Sequence, residues 1–281
     1  MRSKIVFIGG GNMAGALVGG MAQAGYPMED VWVVEPDTSK HGALREHAGL
    51  NVTDQSGEAD DAGVIVLAVK PQILQPVARS FAATVQKNKA LVVSIAAGIH
   101  ANDLSRWLGG NVSIVRAMPN TPSMVQTGAT ALLANEHCSE KHRQLAEMIL
   151  RAVGLTVWVK SESQMDAVTA VSGSGPAYYF MFMNAMATSG VELGLDAATS
   201  RLLTVQTALG AAKMALESSD ELLTLQSNVT SPKGTTFAAI QSFEANGLPD
   251  LVEKAMQACA ERSAELAREL GTDALPNHSG Q

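Results

Sequence analysis

Lys4-Ile5-Val6-Phe7-Ile8-Gly9-Gly10-Gly11-Asn12-Met13-Ala14 carries the strongest architectural signal in the chain. An apolar run leads straight into three glycines, and Ala16-Leu17-Val18 then opens a helical pattern. The residues from Gly9 to Ala14 satisfy GxGxxA: Gly9 permits the tight turn, Gly11 lets main chain approach a pyrophosphate, and small Ala14 seats the helix close on the strand. The helix N-terminus then faces the anion. Ile8, Asn12 and Met13 flank the turn and join Gly9 and Gly11 as expected cofactor contacts. Glu35 ends the next strand-like run about twenty residues on, as a dinucleotide fingerprint requires. Its carboxylate suits a ribose 2′-hydroxyl and repels a 2′-phosphate. Lys40 and Arg45 follow closely, and the Pro36 turn is able to redirect Glu35, so the choice between NADH and NADPH stays open.

Working outward, β-rich runs recur at Lys4 to Ile8, Val31 to Val34, Val64 to Val69, Leu91 to Ile95, Val112 to Val115 and Thr130 to Leu133, separated by segments of helical spacing. Strands apolar on both faces that alternate with helices predict a parallel sheet covered on each side. The fold class is therefore α/β, an N-terminal Rossmann-type doubly wound sheet, followed by an all-α dimerisation domain. A helix near Ser139 to Val153 and a strand-like Leu155 to Val159 close the first part. Beyond Glu162 almost everything reads as helix. The expected domains are 1–160 for dinucleotide binding, 161–272 for a helical substrate and dimerisation domain, and 273–281 for a flexible tail. Ser172-Gly173-Ser174-Gly175-Pro176 should interrupt or kink the long apolar stretch from Gln164 to Gly194. The last helix begins at Pro249 and aligns Val252, Met256, Cys259, Ser263, Leu266 and Leu270 on one face. Such a strip suits packing within the chain as well as a subunit interface.

Composition narrows the function classes. The 281 residues carry a formal net charge of −7 with 46% hydrophobic and only 4% aromatic residues, and no cluster of Lys and Arg marks a nucleic-acid binder. The two cysteines, Cys138 and Cys259, form neither a metal motif nor a disulfide framework, which fits a reducing cytoplasm. No apolar stretch reaches the roughly 20 residues of a membrane helix, and the apolar N-terminal run ends in glycines rather than a cleavage site. A small, Ala- and Met-rich helical domain favours obligate dimerisation through it.

Further segments follow other strands, where ligands lie in open α/β sheets. Lys70, in Ala68-Val69-Lys70-Pro71, offers an ammonium to phosphate or ribose, or is simply a solvated loop lysine. Ala97 and Gly98 let a nicotinamide lie flat on the backbone. Later, Ser227-Asn228-Val229-Thr230-Ser231-Pro232-Lys233-Gly234-Thr235-Thr236 enters a helix from Phe237 to Asn246, and the open N–H groups and dipole of a helix start can receive a carboxylate. The plainer reading is a threonine cap.

These segments, with Arg116-Ala117-Met118-Pro119-Asn120-Thr121-Pro122 and Ser172-Gly173-Ser174-Gly175-Pro176-Ala177-Tyr178, occur in the order found in pyrroline-5-carboxylate reductases, which the chain resembles from its first strand to about residue 270. The resemblance implies hydride transfer from NADPH or NADH to the C=N bond of L-1-pyrroline-5-carboxylate, giving L-proline, the last step of proline biosynthesis. It implies that Thr235 and Thr236, with Ser231, Val229 and Asn228, receive the substrate. It implies too that Glu162 reaches the ring-nitrogen side, with Thr236 as its catalytic companion, and that Val69, Lys70, Ala97 and Asn120 adjoin the cofactor. The family usually has Pro-Gly-Gly where this chain has Pro232-Lys233-Gly234.

Two rivals are weaker. A β-hydroxyacid dehydrogenase would place a lysine on the interdomain helix, yet Gly173 to Asn184 contains none. A non-catalytic cofactor sensor has no use for a carboxylate receptor. His41, His47, His100, His137 and His142 read as surface positions, and no metal site is expected.

Overall fold

The structure, a computed structural model, describes residues 3–46 and 49–271. His47 and the expected tail at 273–281 lie outside the described residues. In chain order the elements are β1 (Ile5–Ile8), α1 (Asn12–Gln23), β2 (Val31–Val34), α2 (His41–Arg45), β3 (Asn51–Thr53), β4 (Val64–Leu67), α3 (Pro71–Asn88), β5 (Leu91–Ser94), α4 (Ala101–Trp107), β6 (Ile114–Met118), β7 (Gly128–Ala134), α5 (Glu140–Arg151), β8 (Gly154–Trp158), α6 (Glu162–Val168), α7 (Gly175–Glu192), α8 (Ala197–Glu217), α9 (Leu222–Asn228), α10 (Thr235–Ala245) and α11 (Leu248–Gly271). A π-helical turn, Thr169–Gly173, follows α6. Contacts divide the chain into one unit of Met1–Ser174 with the segment from Cys259 onward, and a second of Gly175–Ala258. The strands end before residue 160, but α6 and the π-turn pack with the sheet.

The first unit is built on one sheet of order β3-β2-β1-β4-β5-β6-β7-β8. Pairing is parallel from β3 to β6, β7 runs antiparallel to β6, and β8 is parallel to β7. The period of two along each strand splits the core. Ile5, Phe7, Val31, Val33, Val64 and Val66 face Leu17 and Met21 of α1 and Ile149 and Leu150 of α5. Val6, Ile8, Ile65, Leu67 and Val92 face Leu74 and Phe81 of α3 and Leu104 and Trp107 of α4. Continuous apolar strands are what two covered faces demand. Strand β3 is not among the expected strands, because Asn51-Val52-Thr53 has no apolar run. It is held partly by Asn51, whose side-chain amide donates to the carbonyls of Glu29 and Val31 at 3.1 Å each.

From Ser263 onward α11 packs on this unit. Ser263 Oγ donates to Asp166 at 2.8 Å, Ala267 is buried, and Leu270 joins the core beside α3 and α4. This half of the expected helix face is therefore satisfied within the chain, whereas Val252 near its start is exposed.

In the second unit α7 and α8 pack together, and the Ser200 hydroxyl donates to the Ala187 carbonyl at 2.7 Å. Asp196 caps α8 by accepting from the Thr199 N–H at 3.0 Å. Phe182 and Phe243 bring their rings to 6.0 Å, linking α7 to α10.

Gly20 shows how tightly α1 lies on its neighbours, since a Cβ there would come within 2.5 Å of the Ala152 carbonyl oxygen and 2.6 Å of Val153 Cγ1. Gly20→Ala should cost about 1–3 kcal/mol through overpacking, read as a fall in Tm during thermal unfolding.

Candidate active site

Parallel pairing brings the ends of β1, β2, β4, β5 and β6 to one edge of the sheet. Gly9, Glu35, Val69, Ala97 and Asn120 each follow one of these strands. The strand order reverses between β1 and β4, the topological switch point at which such sheets bind ligands. Gly9 has φ of 101°, and a Cβ on it would lie 2.9 Å from both the Ala68 carbonyl oxygen and Val69 Cγ1. Fold geometry therefore demands glycine there. Gly11 differs, because a Cβ there would meet no protein atom, although the residue caps α1 with extended backbone. The space above it is where a pyrophosphate would approach. Helix α1 has no side-chain cap and no acid in its first turn, so its N-terminal N–H groups remain available to an anion. A dinucleotide fits this turn.

Glu35 is 7% exposed. Its Oε2 accepts from the Gly10 N–H at 2.8 Å and its Oε1 from the Asp37 N–H at 3.0 Å. Burial alone would push its carboxyl up, but the N–H groups of Asp37 and Gly10 and the Lys40 ammonium hold it below its ordinary value. His41, expected at the surface, is buried instead, its Nε2 2.7 Å from the Glu35 carbonyl oxygen. Helical spacing alone did not reveal that α2 turns this ring inward under the end of β2.

Lys70 is exposed at the start of α3. Asn120 is buried and spends its amide on structure, accepting from the Ala129 N–H at 2.9 Å and donating to the Ser172 carbonyl at 3.0 Å. It thus ties β7 to the π-turn. Asn12 is exposed, Met13 is half-buried, and Ile8 is buried at the end of β1.

Glu162 opens α6 behind its cap Ser161. One carboxylate oxygen accepts from the Ala101 N–H at 2.8 Å, the first residue of α4, and the other pairs with the Arg116 guanidinium. Arg116 is 5% exposed. Removing Glu162 strands the buried Arg116 charge, a loss of about 3–5 kcal/mol. Through Ala101, Glu162 also steadies the segment that carries Ala97 and Gly98. Sequence reasoning missed Arg116 as its partner; the single signal was an arginine inside an otherwise apolar strand.

In the second unit, α9 leads into the loop at Val229, where Thr230 Oγ1 donates to the Gln226 carbonyl at 2.6 Å. The Gly234 N–H closes a turn on the Ser231 carbonyl at 2.9 Å. The N-cap of α10 is Gly234, without a side-chain cap, so neither threonine caps the helix. The first helical bond runs from the Ala238 N–H to the Gly234 carbonyl. The N–H groups of Thr235, Thr236 and Phe237 therefore have no helical partner. Asn228, Val229, Ser231, Thr235 and Thr236 are all exposed. Among the described residues no group of three His, Cys, Asp or Glu side chains is placed to hold a metal ion.

This sheet, its glycine turn and the acid closing β2 define a nicotinamide-dinucleotide oxidoreductase. Residues 4–98 match the family described as NADP oxidoreductase, coenzyme F420-dependent, and residues 162–266 match pyrroline-5-carboxylate reductase dimerisation. The chain is 47% identical to pyrroline-5-carboxylate reductase of Pseudomonas aeruginosa over 95% of its own length and 98% of that protein. A Coxiella burnetii pyrroline-5-carboxylate reductase structure superposes with a TM-score of 0.92 at 44% identity, over 95% of this chain and 99% of that one. The Plasmodium falciparum pyrroline carboxylate reductase with NADP bound gives 0.82 at 29% identity, over 95% and 98%. The chain belongs to the pyrroline-5-carboxylate reductase family.

Lys233, in the loop before α10, has φ of 58°, a left-handed conformation that costs a side-chain-bearing residue about 1–2 kcal/mol. Glycine avoids that cost but loses entropy of its own. Lys233→Gly should therefore raise stability slightly, by about 1 kcal/mol or less, in denaturant unfolding.

Proposed function

We propose that this chain reduces the C=N bond of L-1-pyrroline-5-carboxylate to L-proline, at the last step of proline biosynthesis. The observation that carries the reading is an uncapped helix start at Thr235 and Thr236 in a chain that also presents an open glycine turn for a dinucleotide. The bound nicotinamide supplies the hydride.

The protein's own residues hold the two reactants. Gly9, Gly11, Asn12 and Met13 with Ile8 receive the dinucleotide phosphates at the start of α1. Glu35 takes the ribose, and Val69, Lys70 and Ala97 line the remaining strand ends, with Asn120 fixing the wall beside them. The N–H groups and hydroxyls of Thr235 and Thr236 bind the substrate carboxylate, supported by Asn228, Val229 and Ser231. Glu162 serves the imine nitrogen. A carboxylate has about four lone-pair sites, so the bonds to Arg116 and Ala101 leave acceptor capacity for a protonated imine. Because Arg116 offsets much of its charge, its second task is to keep the segment before α4 in place.

The second unit exposes Tyr179, Phe180, Met181, Leu202, Leu209 and Leu216, an apolar surface of the kind a second copy covers. The matched dimerisation region accords with a homo-oligomer, with dimers as its building block. No helix among the described residues is long and apolar enough to cross a membrane. Both cysteines are free, which supports a cytoplasmic setting.

Oxidation of reduced cofactor with L-1-pyrroline-5-carboxylate tests the reading. Turnover is expected. Thr236→Ala should raise KM for the imine roughly tenfold, and Glu162→Gln should lower kcat about a hundredfold. Unchanged kinetics in both folded variants would refute the assigned roles, and no turnover in folded wild-type protein would refute the reaction.

A further inference from the structure

The end of β2 is where a dinucleotide fold meets the adenosine ribose, and there this chain is committed to negative charge. The Glu35 carboxylate is fixed by the N–H groups of Gly10 and Asp37. It cannot swing away from an incoming phosphate without stranding these donors, one of them buried, at the cost of unsatisfied groups. Asp37 adds a second carboxylate two residues on.

The donors nearest Glu35 are engaged within the protein. The Lys40 ammonium lies 3.5 Å from Glu35 Oε1 and 3.5 Å from Asp37 Oδ2. Asp37 Oδ1 accepts from both the Ser39 N–H at 3.1 Å and the Ser39 hydroxyl at 2.6 Å. Arg45 donates to the Val52 carbonyl at 3.3 Å. Two carboxylates thus face one ammonium, an arrangement unfavourable to a group carrying about −1.5 to −2 charges. Ribose hydroxyls, in contrast, are donors suited to the remaining lone pairs of Glu35.

We propose that Glu35, locked between the glycine turn and β2 and backed by Asp37, makes this chain select NADH over NADPH. The selection rests on the dinucleotide site of the functional reading and runs against the NADP in the name of one matched family. Positive charge introduced by Lys40 is spent within the protein, so the site discriminates by repulsion as well as by fit.

Isothermal titration of the intact protein with NADH and with NADPH tests this without turnover. NADH should bind at least about tenfold tighter, and 5′-AMP should likewise outbind 2′,5′-ADP. The ratio should shrink as salt is raised. Glu35→Gln, with folding checked by circular dichroism, should narrow it further by removing the charge while keeping an acceptor. NADPH binding as tightly as NADH to wild-type protein would overturn the selection and leave the dinucleotide site standing. An unchanged ratio in folded Glu35→Gln would overturn the assignment to Glu35. Binding of neither dinucleotide would overturn both the selection and the cofactor reading beneath it.

Discussion

Parallel pairing of β1 with both β2 and β4 is the constraint on which the rest depends. Parallel neighbours cannot be joined by hairpins, so the chain must cross back over a face of the sheet each time. The crossovers bury α1, α2, α3 and α4, and β1 to β6 all end at the same edge. Segments as far apart in sequence as Gly9, Glu35, Val69, Ala97 and Asn120 are thereby delivered to one margin, where turn backbone rather than regular structure is available for ligands.

That margin is stiffened by bonds between segments rather than by the sheet alone. Glu35 ties β2 to the glycine turn through the Gly10 N–H. Asn120 ties the end of β6 to β7 and the π-turn, and Glu162 joins α6 to α4 and β6. Each uses a polar side chain that is wholly or largely withdrawn from water, where an unpaired group is costly. Positioning and stability are therefore hard to separate at these residues, and substitutions that keep shape while removing charge are the informative ones.

The sequence made the sheet legible because its strands are continuous apolar runs punctuated by glycine and proline. The turn at Gly9 to Ala14 was legible because backbone sterics prescribe the residue types. Less was visible where the deciding partner is distant. Nothing local announces that Arg116 pairs with Glu162, that His41 turns inward, or that Asn51-Val52-Thr53 adds an edge strand. The open start of α10 was half legible: its composition indicated a receptor, but only the backbone shows that Gly234, not a threonine, occupies the cap. The last strand ends at Trp158, while contacts group the chain up to Ser174, and again from Cys259, with the sheet.

This last feature bears on how the molecule is made. The unit of Gly175–Ala258 is inserted between two parts of the other, and α11 supplies Leu270 to a core begun with β1. During synthesis from the N-terminus, the sheet emerges first but lacks that final helix until the inserted helices have been translated. A nascent sheet must wait with part of its apolar face uncovered, the state in which growing chains are most prone to stick to one another. Completion of the nucleotide-binding half is thus timed by the far end of the polypeptide.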